Sequence, residues 1–438
     1  AHDIGTKTDF DAVIKGDGEQ PLLDYVRGKP SCNIVTADGL DLPVAYVQKS
    51  SKPENLRLLD DLTEIADPLL LKTVGHSAPY IWTGKGCRCA CLFCGGSALG
   101  QKKIFGRKGY LYRPIEHVLA DMEVMAKWSD NTIMFDFDPI ADPQKAGYYR
   151  ELFEQLPAQK YPLFFYSWSL PDLDFVDTLE NRFRSVFLSL DAQCYSERLR
   201  RELASKNQLK PFRPNADFEE TIARIGRSPN METGLYGIIG LAGEKPEDVQ
   251  AAYEWTGGVI DRHGYTLSEL SVTPLSTEPG SLIDRNPDKY GMVVTRKSFE
   301  DYMAFTGHQY FTAGGIHQAD YDPLLPHPYG VHSQHEHPGR VHADYHNLTN
   351  FIAQKMDQVH QARSAQCLKF FVDRVQLKVE SKSRFYNPWT LLSWGLRTAM
   401  ERGYKTLEVD ACEAHILCPD ADVLKAAELD PDTVARLE

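Results

Sequence analysis

The chain places four of its nine cysteines within eight residues, in the stretch GKGCRCACLFCGG. Cys87, Cys91 and Cys94 form the spacing C-x3-C-x2-C, and Cys89 is an additional thiol. A structural zinc site usually takes two separated pairs of Cys or His ligands, and no second C-x2-C follows this one. Three thiolates at this spacing can each bind a different iron of a [4Fe–4S] cluster and leave one iron open. Because clusters that only transfer electrons usually have four cysteine ligands, three indicate chemistry at the open iron.

The composition narrows the class of protein. The chain has 438 residues and a formal net charge of −13, which argues against a nucleic-acid backbone as the main partner. No stretch approaches the roughly 18 consecutive apolar residues of a membrane span, so no membrane partner is expected. The nine cysteines are clustered rather than spread as in a disulfide framework, which favours a reducing cytoplasm.

From residue 78 onward, strand-like and helix-like segments alternate. The apolar runs that predict strands are 78–84, 131–139, 161–169, 185–192, 234–244 and 267–276. The periodic segments that predict helices between them are 115–128, 146–156, 172–183, 216–226 and 246–260. Repeated βα units of this kind predict an α/β fold with a parallel sheet or barrel. The nearly continuous apolar strands favour a sheet whose two faces are both buried by helices.

The cysteine spacing and this order of elements resemble the radical S-adenosylmethionine (SAM) enzymes. In that family the C-x3-C-x2-C motif follows the first barrel strand, and an aromatic residue precedes its last cysteine, as Phe93 does here. The resemblance implies that Phe93 packs beside the cluster or the adenine of SAM. The resemblance implies a partial (β/α)6 barrel over about 78–310 and a [4Fe–4S] cluster on the three cysteines of the motif. It also implies that an external donor such as flavodoxin or ferredoxin supplies an electron, and that SAM is cleaved to methionine and a 5′-deoxyadenosyl radical.

The resemblance also predicts SAM contacts at the second strand. The family has a GGE-like motif there that meets the SAM amino group, whereas this chain has FDFDP, so Asp136 or Asp138 would have to serve. Both aspartates could equally cap the following helix or bind backbone amides. Polar residues at the carboxyl ends of strands are nevertheless where α/β barrels build active sites.

Later strands offer further candidates. Ser189 and Asp191 end the fourth strand, where the resemblance predicts contacts to the ribose or carboxylate of SAM. Gly237 and Gly240 lie in a Gly-x-Ile-x-Gly-like region where the family's backbone approaches adenine, and glycine allows such an approach. Cys194 is a candidate donor of a hydrogen atom to a product radical, and its alternative role is that of a small buried hydrophobe.

Two segments resemble the cobalamin-type branch of the family. The stretch PLSTEPGS (274–281) is similar to the branch's PL-x-x-EPGT, and FDAVIKGDGEQPLLDYV (10–26) resembles the last strand, turn and helix of a cobalamin-binding Rossmann-like domain. No D-x-H-x-x-G motif precedes that second stretch. The sequence therefore predicts a Rossmann-like remnant and linker at 1–75, the barrel at 76–310, and a His-rich loop with a mainly helical region at 311–438. Within that last region, helices are predicted at 347–376 and near 387–403.

The predicted function is that of an enzyme whose 5′-deoxyadenosyl radical abstracts hydrogen from a polar small molecule. The incomplete cobalamin-type domain favours a dehydration, deoxygenation or rearrangement without cobalamin. The alternative is cobalamin-dependent methylation at carbon in natural-product biosynthesis.

A zinc-binding or electron-transfer protein without SAM chemistry is a hypothesis of another class. The segment 308–346 holds eight of the fourteen histidines, and it is interpreted as a substrate-covering loop or as a second metal site.

Overall fold

A parallel sheet of six strands forms the centre of the described structure. The computed structural model describes residues 10–45, 80–81, 83–107, 109–128, 133–138, 143–167, 169–264, 266–302, 330–337, 339–374, 377–381, 406–409 and 412–417. The strands are β1 (Ala12–Ile14), β2 (Ile34–Thr36), β3 (Tyr80–Ile81), β4 (Gly84–Gly86), β5 (Tyr110–Tyr112), β6 (Ile133–Asp138), β7 (Pro162–Ser167), β8 (Ser185–Gln193), β9 (Met231–Ile239), β10 (Leu267–Pro274), β11 (Met292–Val294), β12 (Val331–Ser333), β13 (Leu377–Ser381), β14 (Thr406–Val409) and β15 (Cys412–Leu417). The helices are α1 (Glu19–Val26), α2 (Ala98–Phe105), α3 (Ile115–Trp128), α4 (Pro143–Glu154), α5 (Leu173–Arg182), α6 (Glu197–Ser205), α7 (Asn215–Gly226), α8 (Pro246–His263), α9 (Leu282–Arg285) and α10 (Gly339–Arg374).

The strand order of the central sheet follows the chain. Its strands lie in the order β3-β6-β7-β8-β9-β10, and every neighbouring pair is parallel. Parallel neighbours need a crossover, and helices α3, α4, α5, α7 and α8 supply one in each of the five gaps. The predicted series of six strands and five helices is confirmed.

The predicted first strand, 78–84, is split in the structure. Only β3 joins the central sheet, and β4 turns away to pair antiparallel with β5. The β4–β5 ribbon therefore closes the base of the segment 87–109, which carries the cysteine motif and α2. A helix of eight residues directly after the motif was not expected from the sequence.

The two faces of the central sheet differ in exposure. On one face, Phe165, Leu188 and Leu235 are fully buried and belong to the main hydrophobic core, which the helices cover. We call the other side the open face, and its partly or fully exposed side chains are Phe164, Tyr166, Phe187, Asp191, Tyr236, Glu269, Ser271 and Thr273. The expectation that helices bury both faces is therefore wrong for the described residues.

Helix starts are fixed by polar side chains at two of the crossovers. The Asp172 carboxylate accepts a hydrogen bond from the backbone N–H of Phe175 at 2.7 Å and begins α5. Ser196 Oγ likewise accepts from the N–H of Leu199 at 3.3 Å and begins α6. Side chains of this kind satisfy backbone donors that have no partner inside the helix.

The ends of the chain carry smaller sheets. At the N-terminus β1 and α1 form the predicted strand and helix, but β1 pairs antiparallel with β2, whereas Rossmann-like domains use parallel pairs. At the C-terminus α10 agrees with the predicted helix at 347–376. The three-stranded antiparallel sheet β13-β15-β14 was not indicated by the sequence, and the helix predicted at 387–403 lies outside the described residues.

No helix in the described part of the chain is long and apolar enough to cross a membrane. The first half of the His-rich segment, up to residue 329, lies outside the described residues.

Candidate metal centre at the carboxyl end of the sheet

The cysteine loop reaches the carboxyl end of the central sheet. It leaves β4 and brings Cys91 next to Gln193, the last residue of β8. The Gln193 amide Nε2 lies 3.5 Å from Cys91 Sγ and donates a hydrogen bond to it. The motif therefore lies beside the strand ends, as the sequence predicted.

The thiols of the motif are gathered in one enclosed group. Cys87, Cys89 and Cys91 are buried and pack together, and the half-buried Cys94 and Phe93 contact them. All four are free thiols. The backbone N–H of Cys89 lies 3.3 Å from Cys87 Sγ and donates to it. Phe93, predicted to lie beside a cofactor, is thus in contact with the thiols.

Backbone hydrogen bonds fasten the loop to its neighbours. The N–H of Leu92 donates to the carbonyl of Gln208 at 3.0 Å, and the Leu92 carbonyl accepts from the N–H of Ile283 at 3.1 Å. The N–H of Glu278 donates to the carbonyl of Phe93 at 2.9 Å. Segments after α6 and after β10 therefore hold the loop from two sides, which fixes the positions of the thiols.

Glu278 makes a second contact to the loop. Its carboxylate accepts a hydrogen bond from the N–H of Gly95 at 2.8 Å. A Cβ atom at Gly95 would lie 2.6 Å from the Pro279 carbonyl oxygen, so only glycine fits this approach. Burial raises the pKa of the Cys94 thiol to about 12, and the nearby Glu278 carboxylate adds to the increase.

Polar groups at the end of β8 orient the Gln193 amide toward Cys91. The backbone N–H of Lys210 donates to Gln193 Oε1 at 3.0 Å, which leaves Nε2 directed at the sulfur. Asp191 accepts from the Gln193 N–H at 2.8 Å and pairs with the Lys210 ammonium. Burial raises the pKa of Cys91, whereas Lys210 and Gln193 act in the opposite direction.

Of the two predicted SAM contacts at β8, Asp191 already has protein partners, the Lys210 ammonium and the Gln193 N–H. Ser189 is buried on the same face of the strand, two residues earlier. Both side chains lie on the β8 side of the cysteine group. Their contact with SAM stays a prediction.

Gly237, Gly240 and Cys194 have packing roles in the structure. A Cβ atom at Gly237 would lie 2.6 Å from the Tyr195 ring, and one at Gly240 would lie 2.7 Å from the Val341 side chain of α10. Cys194 is 2% exposed in a hydrophobic cluster, and its thiol lies 3.5 Å from the Ser196 carbonyl. These contacts explain the three residues without a cofactor, so their predicted roles toward SAM and a product radical stay predictions.

Asp136 and Asp138 lie in β6, where Asp138 is in register with Ser167 of β7. Their side chains lie outside the described part of the structure, and their role toward SAM stays a prediction.

The donor set suits a cluster better than a single ion. Three thiols in a buried loop are soft ligands of the kind that iron–sulfur clusters use, and each would bind its own iron. Within the described ranges, no three His, Cys, Asp or Glu side chains converge closely enough to hold one metal ion. Cys87, Cys91 and Cys94 would therefore hold an iron–sulfur cluster, with Cys89 as a neighbouring thiol.

Sequence reasoning missed Gln193 and Lys210. Gln193 directly follows the SLDA stretch and could have been found as the next polar residue at the strand end. Lys210 is 17 residues further along and carries no motif, because only the fold brings its ammonium to Asp191.

A scan against models of protein families and a search of curated proteins found no match to the chain. Among solved structures, similar ones include the radical S-adenosylmethionine methyltransferase TsrM from Kitasatospora setae with tryptophan substrate and the SAM analogue aza-SAM bound (16% identity, 66% of this chain, 57% of that chain, TM-score 0.47). TsrM with cobalamin and a [4Fe–4S] cluster bound is also similar (16% identity, 66% of this chain, 58% of that chain, TM-score 0.45). A third is the FeFe-hydrogenase maturase HydG from Carboxydothermus hydrogenoformans (12% identity, 49% of this chain, 50% of that chain, TM-score 0.34). The chain spans less than two thirds of the length of each of these proteins.

Proposed function

We propose that the chain is a radical SAM enzyme with a [4Fe–4S] cluster on Cys87, Cys91 and Cys94. The observation that carries the proposal is the gathering of these three thiols, on one fastened loop, beside the strand ends of a sequentially ordered parallel sheet. The C-x3-C-x2-C spacing and the position of Phe93 support it from the sequence.

The residues of this chain have distinct roles in the proposed site. When bound, the cluster supplies one electron to SAM, which yields methionine and a 5′-deoxyadenosyl radical. The Gln193 amide donates to the Cys91 sulfur and so stabilises negative charge on it. The Glu278 carboxylate accepts a hydrogen bond from the N–H of Gly95 and so fixes the backbone of the loop next to Cys94.

We propose that the substrate lies against the open face of the sheet. This face carries stacked aromatic rings, Phe164 and Phe187, with centroids 4.2 Å apart. It also carries two carboxylates. Glu269 accepts a hydrogen bond from the Tyr236 hydroxyl at 2.7 Å, and Asp191 of β8 is in register with Tyr236. Aromatic surface with carboxylates suits a polar substrate, in particular one with an amine.

The first reaction class open to such a site is a dehydration, deoxygenation or rearrangement that begins with hydrogen abstraction. The alternative is a cobalamin-dependent methylation at carbon, which the resemblance of 10–26 and 274–281 to the cobalamin-type branch favours. Expression with added cobalamin separates the two. Retention of stoichiometric cobalamin after gel filtration would support methylation, and its loss would support the first reaction class.

The test of the proposed function is anaerobic reconstitution with iron and sulfide. We expect about four irons per chain, an EPR signal of the reduced cluster that changes when SAM is added, and formation of 5′-deoxyadenosine with dithionite. A protein that binds zinc instead of iron, or whose reduced cluster ignores SAM, would contradict the proposal. The second of these results would instead fit an electron-transfer protein.

A further inference from the structure

The turn between β1 and α1 reaches the cysteine loop through a carboxylate. Asp17 lies in this turn and is buried, and its carboxylate pairs with the guanidinium of Arg107. The same carboxylate lies 3.9 Å from the Lys85 ammonium. Lys85 belongs to β4, before the cysteine motif, whereas Arg107 follows α2, after the motif. Residues 10–45, which we call the N-terminal unit, therefore contact the chain on both sides of the cysteine motif.

The Arg107 side chain also lies against the backbone that leads into the motif. Gly86, directly before Cys87, has a φ of +105°, and a Cβ atom there would lie 3.3 Å from Arg107 Cδ. Arg107 Nη1 donates a hydrogen bond to Gln101 Oε1 of α2 at 2.9 Å. Arg107 thus joins α2, the end of β4 and Asp17, and any movement of its side chain is felt next to the first cysteine of the motif.

Two ion pairs of the N-terminal unit differ in their exposure to water. The side chains of Asp17 and Arg107 are 7% and 10% exposed. Those of Lys15 and Asp41, which pair inside the unit, are 18% and 42% exposed. Loss of one charge from a buried pair leaves the other charge uncompensated, whereas exposed pairs contribute little to stability. The pair between Asp17 and Arg107 is therefore the one whose loss should be costly.

We propose that the N-terminal unit clasps the base of the cysteine loop and that Asp17 is a positioning residue for the cluster. The inference rests on the proposed function, since it requires that the loop holds a cluster. Asp17 acts through Arg107 and Lys85, which keep the two arms of the loop together and hold Cys87 beside the other thiols. The stretch 10–26 has in this way a role that needs no bound cobalamin.

The test measures how fast the reconstituted, oxidised protein loses its cluster to EDTA, followed as the loss of the cluster's visible absorbance. Asp17→Asn and Arg107→Gln each neutralise one partner, and a double variant combines them. Arg107→Lys keeps the positive charge. Asp41→Asn is the matched control, because it is the same substitution in the same unit but affects the pair with Lys15.

We expect Asp17→Asn and Arg107→Gln each to lose the cluster about tenfold faster than wild type, because the loop opens more often. The double variant should be no faster than the faster single variant, since both changes remove the same contact. Arg107→Lys should stay within about threefold of wild type and Asp41→Asn within about twofold.

Low concentrations of urea separate a clasp from a general loss of stability. Cluster loss through local opening of the loop should depend weakly on urea below the unfolding transition, because little surface is exposed, whereas loss through global unfolding should rise steeply. If Asp17→Asn does not fold, the comparison of Arg107→Gln with Arg107→Lys decides the question in the same assay.

A rate of cluster loss that is unchanged in Asp17→Asn, or equally increased in Asp41→Asn, would overturn the clasp. An increase in Arg107→Lys as large as in Arg107→Gln, or a steep dependence on urea, would also overturn it. These results would leave the cluster and the formation of 5′-deoxyadenosine by the wild-type protein intact. A wild-type protein that takes up no cluster would instead contradict the proposed function.

Discussion

At the scale of single residues, the proposed site balances buried thiols against a few polar contacts. Burial raises the pKa of Cys91, and the Lys210 ammonium together with the Gln193 amide opposes this effect. A thiolate bound to iron would keep the hydrogen bond from Gln193 and the nearby positive charge of Lys210. Hydrogen bonds to the sulfur ligands are one of the factors that set the reduction potential of iron–sulfur clusters. Gln193 is therefore the residue through which this chain can adjust its cluster.

Replacing Gln193 by leucine should lower the reduction potential of the cluster. The reduced cluster carries more negative charge on its sulfurs, so removal of the hydrogen-bond donor destabilises it more than it destabilises the oxidised cluster. We expect a decrease on the order of 50 mV, which corresponds to about 1 kcal/mol for one electron. An EPR-monitored redox titration measures it, with Gln250→Leu on the exposed side of α8 as the control. An unchanged potential in Gln193→Leu would contradict this role.

The carboxyl group of Glu244 leads to a separate prediction, which concerns how the stability of the fold depends on pH. The half-buried side chain of Glu244 accepts a hydrogen bond from the N–H of Gly240 at 2.8 Å, and burial raises the pKa of its carboxyl group to about 8. Because the pKa is higher in the folded state than in the unfolded state, the stability from the neutral carboxyl is fully present below about pH 4.5 and is lost as the pH rises through 8.

Glu244→Gln should therefore gain stability relative to wild type as the pH rises. Glutamine keeps an acceptor for Gly240 but cannot ionise, so the difference in unfolding free energy should grow by up to about 1.4 kcal/mol per pH unit between pH 5 and 8. Urea unfolding at both pH values measures it. A difference that is the same at pH 5 and pH 8 would show that Glu244 does not titrate in this range.

At the scale of elements, glycine is required where a strand end packs closely against a helix. Gly240 follows β9 with a φ of +87°, and the space where its side chain would lie is filled by Val341 of α10. Gly147 lies in α4 with open space around it. The two glycines therefore have opposite structural requirements.

Gly240→Ala should destabilise the protein by about 2–4 kcal/mol, because it adds both backbone strain and a steric clash. Gly147→Ala should stabilise it by about 0.5–1 kcal/mol, since alanine favours a helix more than glycine does. Chemical denaturation of the two variants beside wild type checks both signs. A Gly240→Ala variant as stable as wild type would refute the close packing of α10 against the end of β9.

At the scale of the whole molecule, the sheet could be predicted from the sequence. The surroundings of the site could be predicted only in part. Apolar runs such as SVFLSLDA and the amphipathic helices between them depend on local periodicity, so the order of six strands and five helices was readable. The cysteine motif was readable for the same reason, because its spacing lies within eight residues.

What could not be predicted depends on contacts between distant segments. The β4–β5 ribbon joins residues about 25 positions apart in sequence, and Lys210 reaches Asp191 only through the turn after α6. The sequence indicates Gly237 as a cofactor contact, but in the structure this glycine is required by its close packing against Tyr195.

The measurement that tests the central claim most directly is the formation of 5′-deoxyadenosine by two matched variants, Cys91→Ala and Cys89→Ala. Both remove one buried thiol from the same loop, but only Cys91 belongs to the proposed ligand set. After reconstitution and reduction with dithionite, we expect Cys89→Ala to form 5′-deoxyadenosine within a few-fold of wild type and Cys91→Ala to form none above background. Equal activity in the two variants, or its loss in both, would contradict the assignment of Cys87, Cys91 and Cys94 as the three ligands.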